Sequence, residues 1–243
     1  MIINRITSYW DKQSKIWREE KDEAWCRPET ANWVNFFEEI LLDSKLTGKR
    51  MLEIGTASGY FGNIMAKVGF EVTAIDLSPN MIKEAKQVSA TLNLAVDYHI
   101  MDAQNLLFDT DKFDIVFTRL MTWTIPDLCA CYAEIFRVLK PGGIFINFDG
   151  DFGTTVFSQE GHERYPIEIM EEANAIKSNL DISRYSRPER DLYLLDKVGF
   201  VDLKTDREIH HRIYSTAEKE EGLFMVRGIK PIGEKINDEA AKF

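Results

Sequence analysis

Glu53 closes the short apolar run Met51-Leu52-Glu53-Ile54 and is followed by a turn of small residues, Gly55-Thr56-Ala57-Ser58-Gly59. Where such a turn leads from a strand into a helix, the backbone can approach a ligand closely and the helix N–H groups face it. A carboxylate at that place can meet a cation or a hydroxyl. A second run, Glu71-Val72-Thr73-Ala74-Ile75, ends in Asp76, where an acid is placed to accept both hydroxyls of a ribose. Together the two stretches describe a nucleoside site.

The elements that must position these groups follow from periodicity and punctuation. Strands are predicted at 50–54, 71–75, 96–101, 113–117 and 144–148, separated by helices at 58–68, after Ser78-Pro79, and from Pro126 to Leu139. Ser78 offers an N-cap and Pro79 a first helical position, and Met81, Ile82, Ala85, Val88 and Leu92 share one face. Lys140-Pro141-Gly142-Gly143 reads as a sharp helix stop. This alternation predicts a mainly parallel sheet with helices on both faces.

Two helices precede it. Residues 5–21 carry an apolar stripe of Ile6, Tyr9, Trp10, Ile16 and Trp17. Pro28 opens another helix, with Trp33, Val34, Phe36, Phe37, Ile40 and Leu41 on one face. Either both pack on the sheet edge, or the first folds over the ligand with Tyr9, Trp10 or Trp17 walling a pocket. The rhythm breaks over 149–187, where Ile167, Met170, Ala173, Ile176 and Leu180 suggest one helix. An insertion after a strand's carboxyl end hangs over the ligand crevice. A helix at 188–198 capped by Gly199 and strands at 200–209 and 222–229 close the domain. The expected partition is an N-terminal helical extension or lid (1–47), a binding core (48–149), an insertion over the acceptor site (150–187), the C-terminal part of the core (188–230) and a tail (231–243).

Composition bounds the function classes. A chain of 243 residues suits one α/β domain with additions. Its 30 Lys and Arg against 40 Asp and Glu give a net charge of −10, without the basic footprint of non-specific nucleic-acid binding. The apolar runs are strand-sized, so no membrane span is expected. The N-terminus shows no basic segment followed by an apolar core, so no signal peptide is expected. Three cysteines, Cys26, Cys129 and Cys131, are too few and scattered for a disulfide framework, and a cytoplasmic setting is the simplest expectation. Cys129 and Cys131 point to different sides of a helix, so no metal site is expected.

Two ligand classes use such a turn. The dinucleotide fingerprint Gly-x-Gly-x-x-Gly fails from Gly55, because Ala57 and Tyr60 stand at its second and third glycine positions. The pattern present is Glu53-x-Gly55-x-Ala57-x-Gly59. With Ala74-Ile75-Asp76-Leu77-Ser78-Pro79-Asn80-Met81, Met101-Asp102-Ala103, Phe113-Asp114-Ile115-Val116 and Arg137-Val138-Leu139-Lys140-Pro141-Gly142-Gly143, it resembles the class I S-adenosylmethionine-dependent methyltransferases. The resemblance is close over 50–149, and the end of the chain is compatible with it. It implies a Rossmann-like, doubly wound, seven-stranded sheet, mainly parallel with an antiparallel last strand, plus the N-terminal helices. It also implies transfer of a methyl group from S-adenosylmethionine to a small-molecule acceptor, leaving S-adenosylhomocysteine.

The implied roles fall residue by residue. The Gly55–Gly59 loop, with Thr56 and Ala57, passes beside the methionine moiety, and Glu53 lies near its amino group. Asp76 holds the ribose, Leu77 and Met81 contact the adenine, Asp102 accepts from its amino group, and the Ala103 backbone helps. Residues from Thr118 to Met121, Arg119 and Leu120 included, line the methionine end. Ala57-Ser58 departs from the family, where many relatives carry glycine. The alternatives are an NAD(P)-dependent oxidoreductase of related fold and a non-catalytic S-adenosylmethionine-binding protein.

Displacement at a sulfonium asks for alignment, exclusion of water and sometimes a base. Thr118-Arg119-Leu120-Met121-Thr122-Trp123 replaces the Asn/Asp-Pro-Pro-Tyr segment of base- and glutamine-modifying members. Arg119 is suited to a carboxylate or phosphate of the acceptor, or to a structural salt bridge. Trp123 is suited to a pocket wall, a cation–π contact or core packing. Asp149 is the first candidate for a general base and Asp151 the second, with turn formation as the alternative. His162 and Tyr165, in the insertion, are candidates to reach the acceptor, as is Tyr185.

Overall fold

The computed structural model describes residues 2–42, 46, 48–160, 163–214 and 223–233. Among these, β1 (Arg50–Ile54), β2 (Glu71–Asp76), β3 (Val96–Ile100), β4 (Phe113–Arg119), β5 (Leu139–Gly150), β6 (Val201–Asp206) and β7 (Leu223–Ile229) form one sheet ordered β3-β2-β1-β4-β5-β7-β6. The first five strands are parallel, and β7 runs antiparallel between β5 and β6. The strand order reverses between β1 and β4, the place where doubly wound sheets open a ligand crevice.

Alternation along the strands feeds two helical layers. Leu52, Val116 and Phe145 point into one, with α1 (Ile2–Ala24), α5 (Leu128–Val138), α6 (Ile167–Lys177) and α7 (Glu189–Val198). Met51, Ile115, Phe117 and Ile146 point into the other, with α2 (Pro28–Leu41), α3 (Tyr60–Val68), α4 (Pro79–Leu92) and α8 (Ile209–Ile213). α2 is a core helix: Trp33 is 2% exposed and meets Phe61 and Phe148 edge-on at ring distances of 4.8 and 4.9 Å. Burial of these rings on the sheet face, and not at its edge, fixes α2. α1 instead crosses the carboxyl ends of the strands.

Local chemistry sets the boundaries. Ser78 accepts the Met81 N–H at 3.1 Å and starts α4, and Asp127 accepts the Ala130 N–H at 2.9 Å and starts α5 two residues after Pro126. Lys140-Pro141-Gly142-Gly143 does not lie outside the sheet as a helix stop would. Leu139 already pairs with Phe113, and the register shifts before Ile115 meets Ile144, so the turn residues become a kink inside β5. The strand expected over 200–209 ends at Asp206, and His210 and His211 sit in the short helix α8. No helix among the described residues is long and apolar enough to cross a membrane.

Candidate active site

The turn after β1 is held by its neighbour strand. The N–H groups of Gly55 and Thr56 both donate to the Ile75 carbonyl, at 2.9 and 3.0 Å. Asp76 accepts the Ala57 N–H on one oxygen and the Ser78 N–H on the other, each at 2.9 Å, so one carboxylate ties the β1 turn to the β2 turn. Burial raises the Asp76 carboxyl to about 6, against these hydrogen bonds, which lower it. Gly55 and Gly59 have φ of 75° and 85°. A Cβ on Gly59 would lie 2.5 Å from the Tyr98 hydroxyl, and one on Gly55 2.5 Å from Met121, so both positions need glycine twice over. Ala57 also adopts the left-handed region, φ 49°, where its methyl costs about 1–2 kcal/mol relative to glycine.

Gly55, Thr56, Ala57, Ile75 and Asp76 wall a first cavity together with Leu77, Met81, Asp102, Ala103 and, from α1, Ile6, Trp10, Trp17 and Lys21. Arg119 and Leu120 close it on the β4 side. Gln104 lines it as well, although nothing in the sequence marks it beyond its place two residues after Asp102. Its amide donates to Asp102 at 3.0 Å, and its carbonyl oxygen accepts the Asp127 N–H at 2.9 Å. Ser58, Tyr60, Phe61 and Met101 line it too.

Two residues of the turn motif lie behind the cavity. Glu53, 2% exposed, turns its carboxylate beneath the loop, where the Thr56 hydroxyl donates to it at 2.5 Å and the Gly62 N–H also bonds it. Burial raises it to about 8. Gly59 caps α3 and does not line the cavity.

A second cavity of about 390 Å³ adjoins the first. Tyr9, Trp10, Trp17, Trp123, Phe152, Phe157 and Tyr165 make its walls, so α1 and the insertion meet here. Trp10 packs edge-on against Tyr9, Trp17 and Trp123 at ring distances of 4.9, 6.0 and 6.0 Å. The Tyr165 hydroxyl donates to Glu20 at 3.0 Å. Lys177 of α6 donates to the carbonyls of Phe152 and Thr155, which pins the aromatic segment to its helix. Trp10, Trp17, Lys21, Arg119 and Leu120 line both cavities.

Asp149 is not placed as a base. It has no exposed surface and lines neither cavity. Its carboxylate accepts the Thr122 hydroxyl and, at 3.1 Å, the Trp123 N–H, and it lies 3.2 Å from Arg187. Arg187 bonds Asp191 as well, at 2.5 Å. Burial raises Asp149 while the Arg187 charge lowers it. The acid thus anchors the bend from Leu120 to Trp123, in which Leu120 takes φ 50°. Asp151 lines neither cavity, and Tyr185 is 42% exposed with Arg190 4.1 Å above its ring. His162 lies outside the described residues.

Residues 52–147 match the family model described as Methyltransferase domain. The ubiquinone biosynthesis O-methyltransferase of Xanthomonas oryzae pv. oryzae is 36% identical over 99 residues, which are 40% of this chain and 41% of that protein. The chain thus spans about two fifths of the length of such relatives. Phosphoethanolamine N-methyltransferase 2 of Haemonchus contortus, solved with S-adenosyl-L-methionine, shares the fold with a TM-score of 0.58 and 23% identity, over 81% of this chain and 52% of that one. A Methanococcus maripaludis protein does so with a TM-score of 0.61 and 21% identity, over 93% and 95%. The glycine spacing that departs from the dinucleotide fingerprint lies within the stretch, residues 52–147, that matches the methyltransferase-domain model, and the chain shares its fold with solved methyltransferases.

Proposed function

We propose that this chain is a methyltransferase that moves a methyl group from S-adenosylmethionine to a small molecule by in-line displacement. The observation that carries this reading is the pair of adjoining cavities. One is a nucleoside cradle of turns and acids, the other an aromatic chamber, and Trp10, Trp17, Lys21, Arg119 and Leu120 belong to both. A transferase needs two molecules in contact, whereas a protein that only senses the cofactor needs one.

In this reading Asp76 takes the ribose hydroxyls, Leu77 and Met81 flank the adenine, and Asp102 with the Ala103 backbone meets the adenine edge. The turn Gly55-Thr56-Ala57 runs beside the methionine, with Arg119 and Leu120 opposite. Glu53 acts from beneath, by holding Thr56 and Gly62, and Gly59 acts through the start of α3. Tyr9, Trp10, Trp17, Trp123 and Tyr165 form the acceptor chamber. The bound S-adenosylmethionine supplies the sulfonium leaving group. The chain supplies alignment and a dry chamber, effects that together are worth roughly 7–11 kcal/mol of barrier. Asp149 has no part in proton transfer. An acceptor already ionised when it binds needs no base, and a proton still carried after transfer is lost to bulk water as the product leaves.

The partition into a lid-like 1–47, a binding core 48–149, an insertion 150–187 and a closing segment 188–230 is proposed on the same ground, since α1 and the insertion bring the acceptor walls. A cytoplasmic location fits the composition. The names of the relatives above include oxygen and nitrogen acceptors, so the atom methylated is a matter for an acceptor screen. The test is formation of S-adenosylhomocysteine from S-adenosylmethionine with a panel of aromatic hydroxyl, carboxyl and amine compounds. Acceptor-dependent product supports the reading. Tight S-adenosylhomocysteine binding without turnover on any acceptor class would point to the sensor instead.

A further inference from the structure

Asp149 is sealed away from both cavities, which leaves an acceptor that enters with its proton in want of a base. Among the described residues, Glu20 is the one acid that lines the second cavity, and no histidine lines it. It belongs to the α1 stripe Gln13, Trp17, Glu20 and Lys21, whose helical spacing puts all four side chains on the cavity face. Tyr165, 8% exposed, comes from the insertion and donates its hydroxyl to one Glu20 oxygen at 3.0 Å. Burial, and next the Glu20 charge, raise that hydroxyl well above its ordinary value, so it keeps its proton and stays a donor. The carboxylate is thus oriented by a contact between α1 and the insertion. The other charged groups around it are Lys21, next on the helix, Arg119 of β4 on the same cavity, and Arg164, which pairs with Glu23 at 2.9 Å. Trp10, Trp17, Trp123, Phe152 and Phe157 make much of the remaining wall, and apolar rings take no proton.

We propose that Glu20, oriented by Tyr165, is the base that takes the proton from an acceptor hydroxyl in the aromatic chamber. The inference rests on the methyl-transfer reading above and adds a catalytic residue to it. As the hydroxyl oxygen forms its bond to the methyl carbon, its proton passes to the Glu20 carboxylate. The carbon–sulfur bond breaks, and its electron pair stays on sulfur. The sulfonium charge and the carboxylate charge disappear together, so the step needs no further ion. Glu20 gives the proton to water once the methylated product leaves. Tyr165 serves this step through Glu20 and is a positioning residue. An acceptor that arrives ionised bypasses Glu20, and this separates a base from a residue that only shapes the chamber.

Turnover of the full chain with two phenols near neutral pH tests this. Phenol enters protonated, and pentafluorophenol enters ionised. Glu20→Gln should lower kcat for phenol about a hundredfold or more and leave pentafluorophenol within about threefold of the parent. Tyr165→Phe should lower the rate with phenol about tenfold and again spare pentafluorophenol. Alkaline pH should restore the Glu20→Gln rate with phenol as its ionised fraction grows. Equal losses on both acceptors, or no loss on phenol, overturn the proposal. A second measurement needs no turnover: 4-nitrophenol is titrated into protein saturated with S-adenosylhomocysteine and its phenolate absorbance is followed against pH. Beside Glu20 the bound phenol should ionise about one pH unit higher in the parent than in Glu20→Gln. Equal midpoints overturn the proposal, and so does a parent that neither methylates a phenol nor binds 4-nitrophenol. Glu20 and Tyr165 do not line the first cavity, so S-adenosylhomocysteine binding by calorimetry should be unchanged in both variants. Its loss in the variants would make Glu20 structural and overturn the proposal. Its absence in the parent would overturn the methyl-transfer reading as well.

Discussion

Two buried acids stand at the carboxyl ends of strands, and their surroundings are opposite. Glu53, at β1, is met by the neutral donors of Thr56 and Gly62, and burial raises it to about 8. Asp149, at β5, faces Arg187 at 3.2 Å. Arg187 stays charged although burial works against it, because Asp149 and Asp191 raise it well above its ordinary value. A lone buried acid relieves its cost by taking a proton, whereas a paired one keeps its charge and makes its partner indispensable. The first arrangement leaves a proton to exchange beneath a binding turn. The second makes a strut.

Removing the cation should have the largest effect. Arg187→Ala leaves Asp149 and Asp191 buried without their partner and should cost about 3–5 kcal/mol in urea unfolding. A loss under about 1 kcal/mol would mean that Asp149 is no strut. Because the same network anchors Thr122 and Trp123, the proposed acceptor chamber should loosen as well.

Glu53 predicts the next largest effect, with the opposite remedy. Its folded value lies above its ordinary 4.5, so its contribution to stability is full below 4.5 and is lost as the pH rises through about 8. Asp76 adds a smaller loss of the same sign between 3.8 and about 6. Glu53→Gln should therefore flatten the fall in stability of the ligand-free protein from pH 5 to pH 9, by about 2–5 kcal/mol across that range. Parallel unfolding curves for the variant and the parent would show that Glu53 does not titrate there.

Asp76→Asn removes the charge that joins the two turns. It should weaken S-adenosylhomocysteine roughly ten- to a hundredfold in titration calorimetry, with the fold retained by circular dichroism. The smallest effect belongs to the roof. Asp11 of α1 accepts the Ser78 hydroxyl and, at 3.1 Å, the Asn80 N–H, tying that helix to the start of α4. Asp11→Ala should cost about 1 kcal/mol and raise amide exchange along α1 more than along α2. Equal changes in both helices would remove the contrast between a pinned roof and a core helix.

Strands, helix starts and the turn motif depend on neighbours within a few residues, so the sheet, Asp76 and the Gly55–Gly59 turn are legible. Asp149 reads in sequence like any acid after an apolar strand, because its partner Arg187 lies far along the chain at the other end of the insertion. Glu53 reads as a ligand contact, because only packing reveals that Thr56 and Gly62 hold its carboxylate below the loop. Gln104 escapes notice, since its role depends on Asp102 and Asp127 at once. Trp10, Trp17, Trp123 and Tyr165 are recognisable as aromatic candidates, but three separate segments must fold together before they enclose a chamber.

One feature of α1 reaches further. Trp10, Trp17 and Lys21 belong to both cavities, so a ligand that shifts this helix in one of them alters the other. The two occupancies are then thermodynamically linked, and linkage is reciprocal: whatever factor the cofactor adds to acceptor affinity, the acceptor must add to cofactor affinity. Ion pairs from Arg5 to Glu172 and from Arg18 to Glu84 help to hold that helix, so added salt, which screens them, should shrink the coupling factor in both directions alike.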